Sequence, residues 1–160
     1  QLPYNFPYKK GSQRDQLDGW NPGGRTRIDG VLYPFGHGLS YTKFEYRELE
    51  ITPQKQNSRG NIDVRCTIKN TGDMAGAEIV QLYIKDRFSS VVTYEKQLRG
   101  FKKIYLKSGE SKEVNFTLEP DDLEILDRNM NWRVEPGEFI IQIGQSSQDI
   151  QLKDNFMITE

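Results

Sequence analysis

The chain has 160 residues, the length of one ordinary domain, and its 22 basic and 23 acidic side chains are interspersed, with a net charge of −1. This balance leaves no basic stripe to neutralise a phosphate backbone, which argues against nucleic acid as a partner. The longest apolar runs are far shorter than the ~20 residues of a membrane-spanning helix, so we expect no membrane insertion. A single cysteine, Cys66, and a single histidine, His37, exclude an internal disulfide and a zinc ligand set. We therefore expect neither a metal nor a cofactor.

The first 42 residues differ in composition from the rest of the chain. They contain four of its seven prolines and show no sustained period of 3.6 or 2 residues. Because an unstructured run of this length is unusual inside a compact domain, we predict that residues 1–42 form a linker or arm between two bodies. The start at Gln1, with neither an initiator Met nor a signal-peptide pattern, predicts a piece of a longer protein.

Residues 33–46, the aromatic segment, contain five aromatic rings and the only histidine. One proline and two glycines in its first half predict a rigid, irregular turn. Five rings on such a turn cannot all face water cheaply, so the domain core or a neighbouring body must cover them. We predict that Phe44 and Tyr46 enter the core. We predict that the others form an interface with a neighbouring domain: Tyr33, Phe35, His37 and Tyr41.

From residue 43 onward, strand patterns recur at short intervals. Residues 44–51 predict a first strand with a bulge that shifts its phase. Residues 62–68 alternate strictly between apolar and polar side chains, which predicts a half-buried strand with Cys66 as a small apolar residue. Residues 79–84 are more continuously apolar and predict a buried strand.

The second half of the chain continues this series of short strands and turns. Strand patterns cover residues 98–106, 114–118, 139–143 and 150–158. Residues 120–123 predict a short helical turn, and residues 127–131 predict a hairpin into a strand that places Trp132 in the core. Seven or eight short strands without a long helix indicate an all-β fold, an antiparallel β-sandwich over residues 43–160. The immunoglobulin Cys–Trp–Cys pattern is absent, which favours a fibronectin type III-like sandwich preceded by an irregular N-terminal arm.

The sequence gives no pattern for catalysis. There is no G-x-S-x-G elbow, and most carboxylates alternate with apolar residues, which places them on solvated strand faces rather than in a catalytic pair. We therefore predict no catalytic residues. Rings and arginines gather before the sandwich, and sugars stack their C–H faces on such rings, so the candidate substrate-binding residues are Trp20, Arg25, Arg27 and His37. We favour the alternative that these rings pack the arm onto a partner domain and that His37 hydrogen-bonds within its turn.

Several segments, in their order along the chain, resemble the C-terminal region of the family 3 glycoside hydrolases, the β-glucosidase and β-xylosidase group. The matching segments are residues 2–8 (LPYNFPY), 32–42 (LYPFGHGLSYT), 80–86 (VQLYIKD), 96–103 (KQLRGFKK), 106–111 (LKSGES) and 135–139 (EPGEF). The resemblance implies a fibronectin type III-like domain at 43–160, preceded by the end of an α/β sandwich domain and a linker. It also implies that the nucleophilic Asp and the acid/base Glu belong to other segments, so that this chain alone does not hydrolyse glycosides.

Functions from different classes stay open. The favoured one is an accessory, structural domain that partners the catalytic domains of the same parent enzyme, which by resemblance hydrolyses terminal β-linked sugars with retention of configuration. The alternative is an independent carbohydrate- or surface-binding module, which predicts exposed rings on the sandwich, with Tyr94 and Tyr105 as the main candidates. A catalytically active fragment ranks last. The resemblance also implies that the parent enzyme is exported, to the periplasm or the extracellular space.

Overall fold

The computed structural model of the protein describes residues 33–160, which consist mainly of β-strands. The strands of this region are β1 (Phe44–Thr52), β2 (Lys55–Asn57), β3 (Ile62–Asn70), β4 (Gly76–Asp86), β5 (Gln97–Leu106), β6 (Ser111–Leu118), β7 (Ile125–Leu126), β8 (Trp132–Arg133), β9 (Gly137–Gly144) and β10 (Ile150–Thr159). Within the described region the one helical element is a 3-10 turn at Pro120–Asp122, where the sequence predicts a short helical turn.

The strands β1, β3 and β6 form a three-stranded antiparallel sheet with β3 at its centre. The apolar side chains of β3 are fully buried, and the polar side chains between them are exposed or half-buried. This pattern follows from the pleat, because successive side chains of a strand point to opposite faces of the sheet. Cys66 lies on the buried face, opposite Val114 of β6.

The second sheet has five strands in the order β2-β10-β9-β4-β5, and its neighbouring strands are antiparallel except for β2 and β10. The two sheets contribute to one apolar core, so the predicted β-sandwich is confirmed. In β4, Val80, Leu82 and Ile84 belong to this core. Gln81 and Tyr83 are also buried, and their parity along the strand places them on the opposite face of the sheet.

The aromatic segment enters the sandwich at β1. Tyr46 is buried and Phe44 packs against the core, as predicted. The predicted bulge is present as a register shift between Arg47 and Glu50, with a positive φ of 56° at Glu48. The bulge lets both halves of β1 direct apolar side chains inward, because it resets the alternation between them.

On the hairpin β7–β8, Trp132 does not lie in the core, where the sequence predicts it. The hairpin connection at 127–131 is present, but Trp132 is 66% exposed and Val134 packs against the core instead. The sequence prediction was wrong because β8 is only two residues long and, among the described strands, pairs with β7 alone. A side chain on such a hairpin has no second sheet above it to bury its ring.

Several predictions fall outside the described residues. The candidate substrate-binding residues Trp20, Arg25 and Arg27 lie there, and so does the predicted arm up to residue 32. Within the described region, no helix is long and apolar enough to cross a bilayer.

Candidate functional site

The first candidate surface is the turn at residues 33–42, whose backbone is tied to the sandwich near its start. Ser147 N donates a hydrogen bond to the Phe35 carbonyl over 2.9 Å. The side-chain nitrogen of Gln81 donates to the Gly36 carbonyl at 3.0 Å and to the Gln145 carbonyl at 2.5 Å. Tyr83 Oη donates in turn to Gln81 Oε1. The buried polar pair on the outer face of β4 therefore fixes where the turn lies.

Gly36 is required at the centre of this turn. Its φ is +78°, in the left-handed region that favours glycine. A Cβ at this position would overlap Gln81 Oε1, so any side chain would displace the amide that holds the turn. The residue satisfies both the backbone geometry and the close approach.

The end of the turn is tied to a different part of the sandwich. Thr42 Oγ1 donates to Asn70 Oδ1 at 2.7 Å, and Thr71 N donates to the Lys43 carbonyl at 2.8 Å. Asn70 is fully buried and its side-chain nitrogen donates to the Leu106 carbonyl at 3.1 Å. Both ends of the turn are therefore held by buried amide side chains.

The rings of this turn remain on the surface although its backbone is fixed. Tyr41 is 96% exposed, Tyr33 is 65% exposed and Phe35 is 44% exposed. His37 is exposed too, and its ring lies 5.4 Å from that of Tyr33 at a tilt of 30°. These four residues are the predicted interface set, and their interface role stays a prediction. His37 is also the one substrate-binding candidate within the described region; its backbone N donates to the Pro34 carbonyl.

The second candidate surface is a groove of about 810 Å³, which we call the Trp132 groove. It lies between the loop that joins β4 to β5, the start of β5, and the segment that runs from the 3-10 turn to β8. The residues that line it are Val91, Val92, Thr93, Tyr94, Gln97, Leu98, Arg99, Asp121, Glu124, Ile125, Leu126 and Trp132. The sequence singled out Tyr94 as an exposed ring, placed Trp132 in the core, and gave no signal for Arg99.

One buried carboxylate joins two of the elements around the Trp132 groove. Glu135 accepts hydrogen bonds from Ser90 N (2.9 Å) and Ser90 Oγ (2.6 Å), at the foot of the loop that carries Tyr94. It also accepts one from Arg133 Nη2 (2.8 Å), next to Trp132. These bonds lower the pKa of Glu135, with Ser90 as the main cause and Arg133 as a lesser one.

The hairpin that carries Trp132 is held by a second buried carboxylate. Asp127 Oδ1 accepts hydrogen bonds from the backbone nitrogens of Asn129 and Asn131, at 2.8 and 3.0 Å. Met130 in the same turn has a positive φ of 64°. Arg128 Nη2 donates to the Ser90 carbonyl at 3.3 Å, a further link from the hairpin to the loop.

Two other acids, the half-buried Asp86 and the buried Glu78, have pKa values shifted in the opposite direction. Partial burial raises the pKa of Asp86, which lines a smaller cavity, and the hydrogen bond from Phe88 N only partly offsets this effect. Burial also raises the pKa of Glu78, which accepts a 3.0 Å hydrogen bond from Tyr46 Oη inside the sandwich. The described residues contain no group of three or more His, Cys, Asp or Glu that could hold a metal ion.

Comparison with known proteins identifies relatives of this fold and sequence. Residues 78–147 match the family model of the fibronectin type III-like domain. The chain is 48% identical over 128 residues to thermostable β-glucosidase B of Acetivibrio thermocellus, a match that covers 79% of this chain and 17% of that protein. It is 37% identical over 123 residues to the periplasmic β-glucosidase of Salmonella typhimurium, covering 77% of this chain and 16% of that protein.

A solved structure agrees with these matches. The crystal structure of a β-glucosidase from Listeria innocua in complex with glucose matches at a TM-score of 0.84 and 28% identity. The match covers 99% of this chain and 22% of that chain. The chain therefore spans between 16% and 22% of the length of these relatives.

Proposed function

The chain belongs to the fibronectin type III-like region of the family 3 glycoside hydrolases, and we propose that it is an accessory, structural domain that docks on the catalytic domains of its parent enzyme. The observation that carries the proposal is the turn at residues 33–42, which combines a fixed backbone with exposed rings. A surface that is ordered before binding loses little conformational entropy when a partner covers it.

The chemistry of the turn supports a protein partner in the parent enzyme. Its side chains present two tyrosine rings, a phenylalanine and an almost fully exposed Leu39. Aromatic residues are enriched at the cores of protein–protein interfaces, because they bury a large area with few rotatable bonds. A covered tyrosine or phenylalanine stabilises an interface by roughly 1.5–3 kcal/mol, so this turn is an effective anchor for its size.

The parent enzyme's activity is part of the same proposal. By its family, the parent hydrolyses terminal β-linked sugars through a covalent glycosyl-enzyme, with retention of configuration. In this proposal the nucleophile and the acid/base belong to other parts of the parent enzyme, and this domain stabilises the arrangement of the catalytic domains. We also propose that the parent is exported, supported by the similarity to a periplasmic β-glucosidase.

A pair of double variants tests the docking surface in the full-length protein that carries this chain. Tyr33→Ser with Tyr41→Ser removes two rings of the turn, and Phe101→Ser with Tyr105→Ser removes two exposed rings of β5. We expect the first pair to lower the Tm of the full-length protein, because two covered rings contribute roughly 3–6 kcal/mol to the interface. The second pair should leave it unchanged.

The isolated 160-residue chain provides the control. Neither pair should change its Tm, because all four rings face solvent in it. The isolated chain should also release no p-nitrophenol from p-nitrophenyl β-glucoside. A full-length protein destabilised by the β5 pair and not by the turn pair would place the docking surface elsewhere, and measurable hydrolysis by the isolated chain would overturn the accessory role.

A further inference from the structure

The Trp132 groove has the composition of a ligand site. Its volume of about 810 Å³ falls within the ~300–1,000 Å³ that small-molecule sites occupy. Two aromatic rings, Tyr94 and Trp132, line it from different elements, together with aliphatic side chains of the loop and of β7. Both rings are exposed, so their apolar surface is available to a bound molecule.

Arg99 contributes an unused hydrogen-bond donor to the same groove. β5 has an extra residue here, because Leu82 lies opposite Gly100 whereas Tyr83 lies opposite Leu98. Such a bulge re-aims the side chain of the extra residue, which lines the groove. The Nε atom of Arg99 is buried and has no hydrogen-bond partner among residues 33–160. Because a buried N–H without an acceptor is costly, an acceptor on a bound molecule would be favourable here.

The charges around the groove select against an anion. Asp121 and Glu124 line it with Arg99, and Asp86 and Asp122 line a smaller cavity that also includes Arg99. In the groove itself two carboxylates face one guanidinium, and this excess of negative charge disfavours a phosphate or a carboxylate ligand. The same groups suit neutral hydroxyls, because a hydroxyl donates to a carboxylate and accepts from a guanidinium.

We propose that the Trp132 groove binds a neutral oligosaccharide. The C–H faces of its sugar rings lie against Trp132 and Tyr94, an oxygen accepts the free Arg99 Nε–H, and its hydroxyls donate to Asp121 and Glu124. The choice of a saccharide among neutral polyhydroxy compounds rests on the proposed function, because a glycoside hydrolase meets such sugars. The aromatic rings, the free donor and the charge balance are observed independently of that function.

The groove is held open before binding. Glu135 fixes Ser90 and Arg133 together, which ties the loop with Tyr94 to the hairpin with Trp132. A site ordered in this way loses little conformational entropy when it binds a ligand. The loop and the hairpin therefore need no closing movement, and only the side chain of Arg99 must turn so that its buried Nε–H reaches a sugar oxygen.

The test is a titration of the isolated 160-residue chain with cellotetraose and with xylotetraose, followed by ¹H–¹⁵N NMR. We expect a Kd on the order of 1 mM or tighter, with shifts centred on the Arg99 Nε–H and the Trp132 indole N–H. Trp132→Ala should weaken binding at least about tenfold, and Arg99→Lys, which keeps the charge but removes the planar donor fork, about fivefold. Tyr105→Ala, a ring on the same strand outside the groove, is the matched control and should bind as the parent chain does.

The outcomes separate this proposal from the docking function. The saccharide site is overturned by the absence of shifts with both tetrasaccharides, by shifts that map outside the groove, or by unchanged binding in Trp132→Ala and Arg99→Lys variants whose spectra remain dispersed. Tighter binding of galacturonic acid oligomers than of the neutral tetrasaccharides would also overturn it, as an anion site. None of these results touches docking, which the ring variants of the 33–42 turn test in the full-length protein.

Discussion

The central strand β3 and the edge strand β5 show how differently two strands of one sandwich are used. β3 has neighbours on both sides and buries every second side chain in the core. Within residues 33–160, β5 has one neighbouring strand; it contains a bulge at Arg99 and exposes Phe101 and Tyr105. Because both edges of β3 are paired with other strands and one of its faces is buried, packing in the core determines its residues. An edge strand has free surface that can be used for binding.

The largest expected effect is the loss of stability caused by a substitution in the central strand β3. Ile68→Ala removes buried methyl and methylene groups from a fully buried position and should lower the free energy of unfolding by about 2–5 kcal/mol. Tyr105→Ala on β5 should change it by no more than ~0.5 kcal/mol, because this ring faces solvent. Urea denaturation of both variants measures the difference. Equal losses would mean that the exposed ring of β5 supports the fold after all.

The next effect concerns the link between the loop and the hairpin. Glu135→Gln keeps the shape of the side chain but places an amide N–H donor next to the donors of Ser90. We therefore expect the free energy of unfolding to fall by about 1–3 kcal/mol at pH 7. Because the folded-state pKa of Glu135 lies below its ordinary value of 4.5, its stabilisation is present above that value and is lost as the pH falls through the folded pKa. The difference between variant and parent should therefore shrink at acid pH. A pH-independent difference, from urea denaturation at pH 7 and pH 3, would contradict the role of its charge.

A smaller effect is expected at the turn of residues 33–42. Gly36→Ala should cost about 1–2 kcal/mol, because alanine is strained at a φ of +78° and its Cβ displaces the amide of Gln81. Gly137→Ala is the matched control, since a Cβ there meets nothing within 4 Å. Hydrogen exchange should show faster exchange of Ser147 N–H in the Gly36 variant only. Unchanged exchange at Ser147 would show that Gln81 does not hold the turn.

The smallest expected effect is a pH dependence of stability that distinguishes the buried Glu78 from the buried Glu135. Burial raises the folded-state pKa of Glu78 above its ordinary value of 4.5, so its ionisation opposes folding as the pH rises above that value. Glu78→Gln keeps an oxygen for the Tyr46 hydroxyl and removes this penalty. We expect the variant to gain stability over the parent from pH 4.5 toward neutrality. A Glu78→Gln variant that loses stability relative to the parent chain as the pH rises would contradict this sign.

The sequence predicts most of this fold but only part of its surface. The strict alternation of β3 and the broken alternation of β1 determine strand and bulge locally, and both predictions are confirmed. Trp132 was misplaced because a two-residue strand gives too short a pattern to fix its face. Arg99 was missed because its orientation depends on the register between β4 and β5, which no local pattern of β5 contains. Glu135 was part of a recognised segment, but its contact with Ser90, 45 residues away, depends on the tertiary fold.

Thiol labelling tests most directly whether the rings of the 33–42 turn dock on the parent enzyme. Cys66 is the only cysteine of the chain and provides a silent background, because it is buried and burial raises its pKa to about 11. Tyr41→Cys places a thiol at the most exposed ring of the turn, and Lys112→Cys places a control thiol on the exposed side of β6.

Peptide mass spectrometry follows the reaction of each introduced thiol in the isolated chain and in the full-length protein. Docking predicts that the thiol of the Tyr41→Cys variant reacts at least about tenfold more slowly in the full-length protein, because a covered thiol reacts only when the interface opens. The thiol of the Lys112→Cys variant should react at the same rate in both proteins. Equal rates for the Tyr41→Cys thiol in the isolated chain and in the full-length protein would contradict docking through this turn.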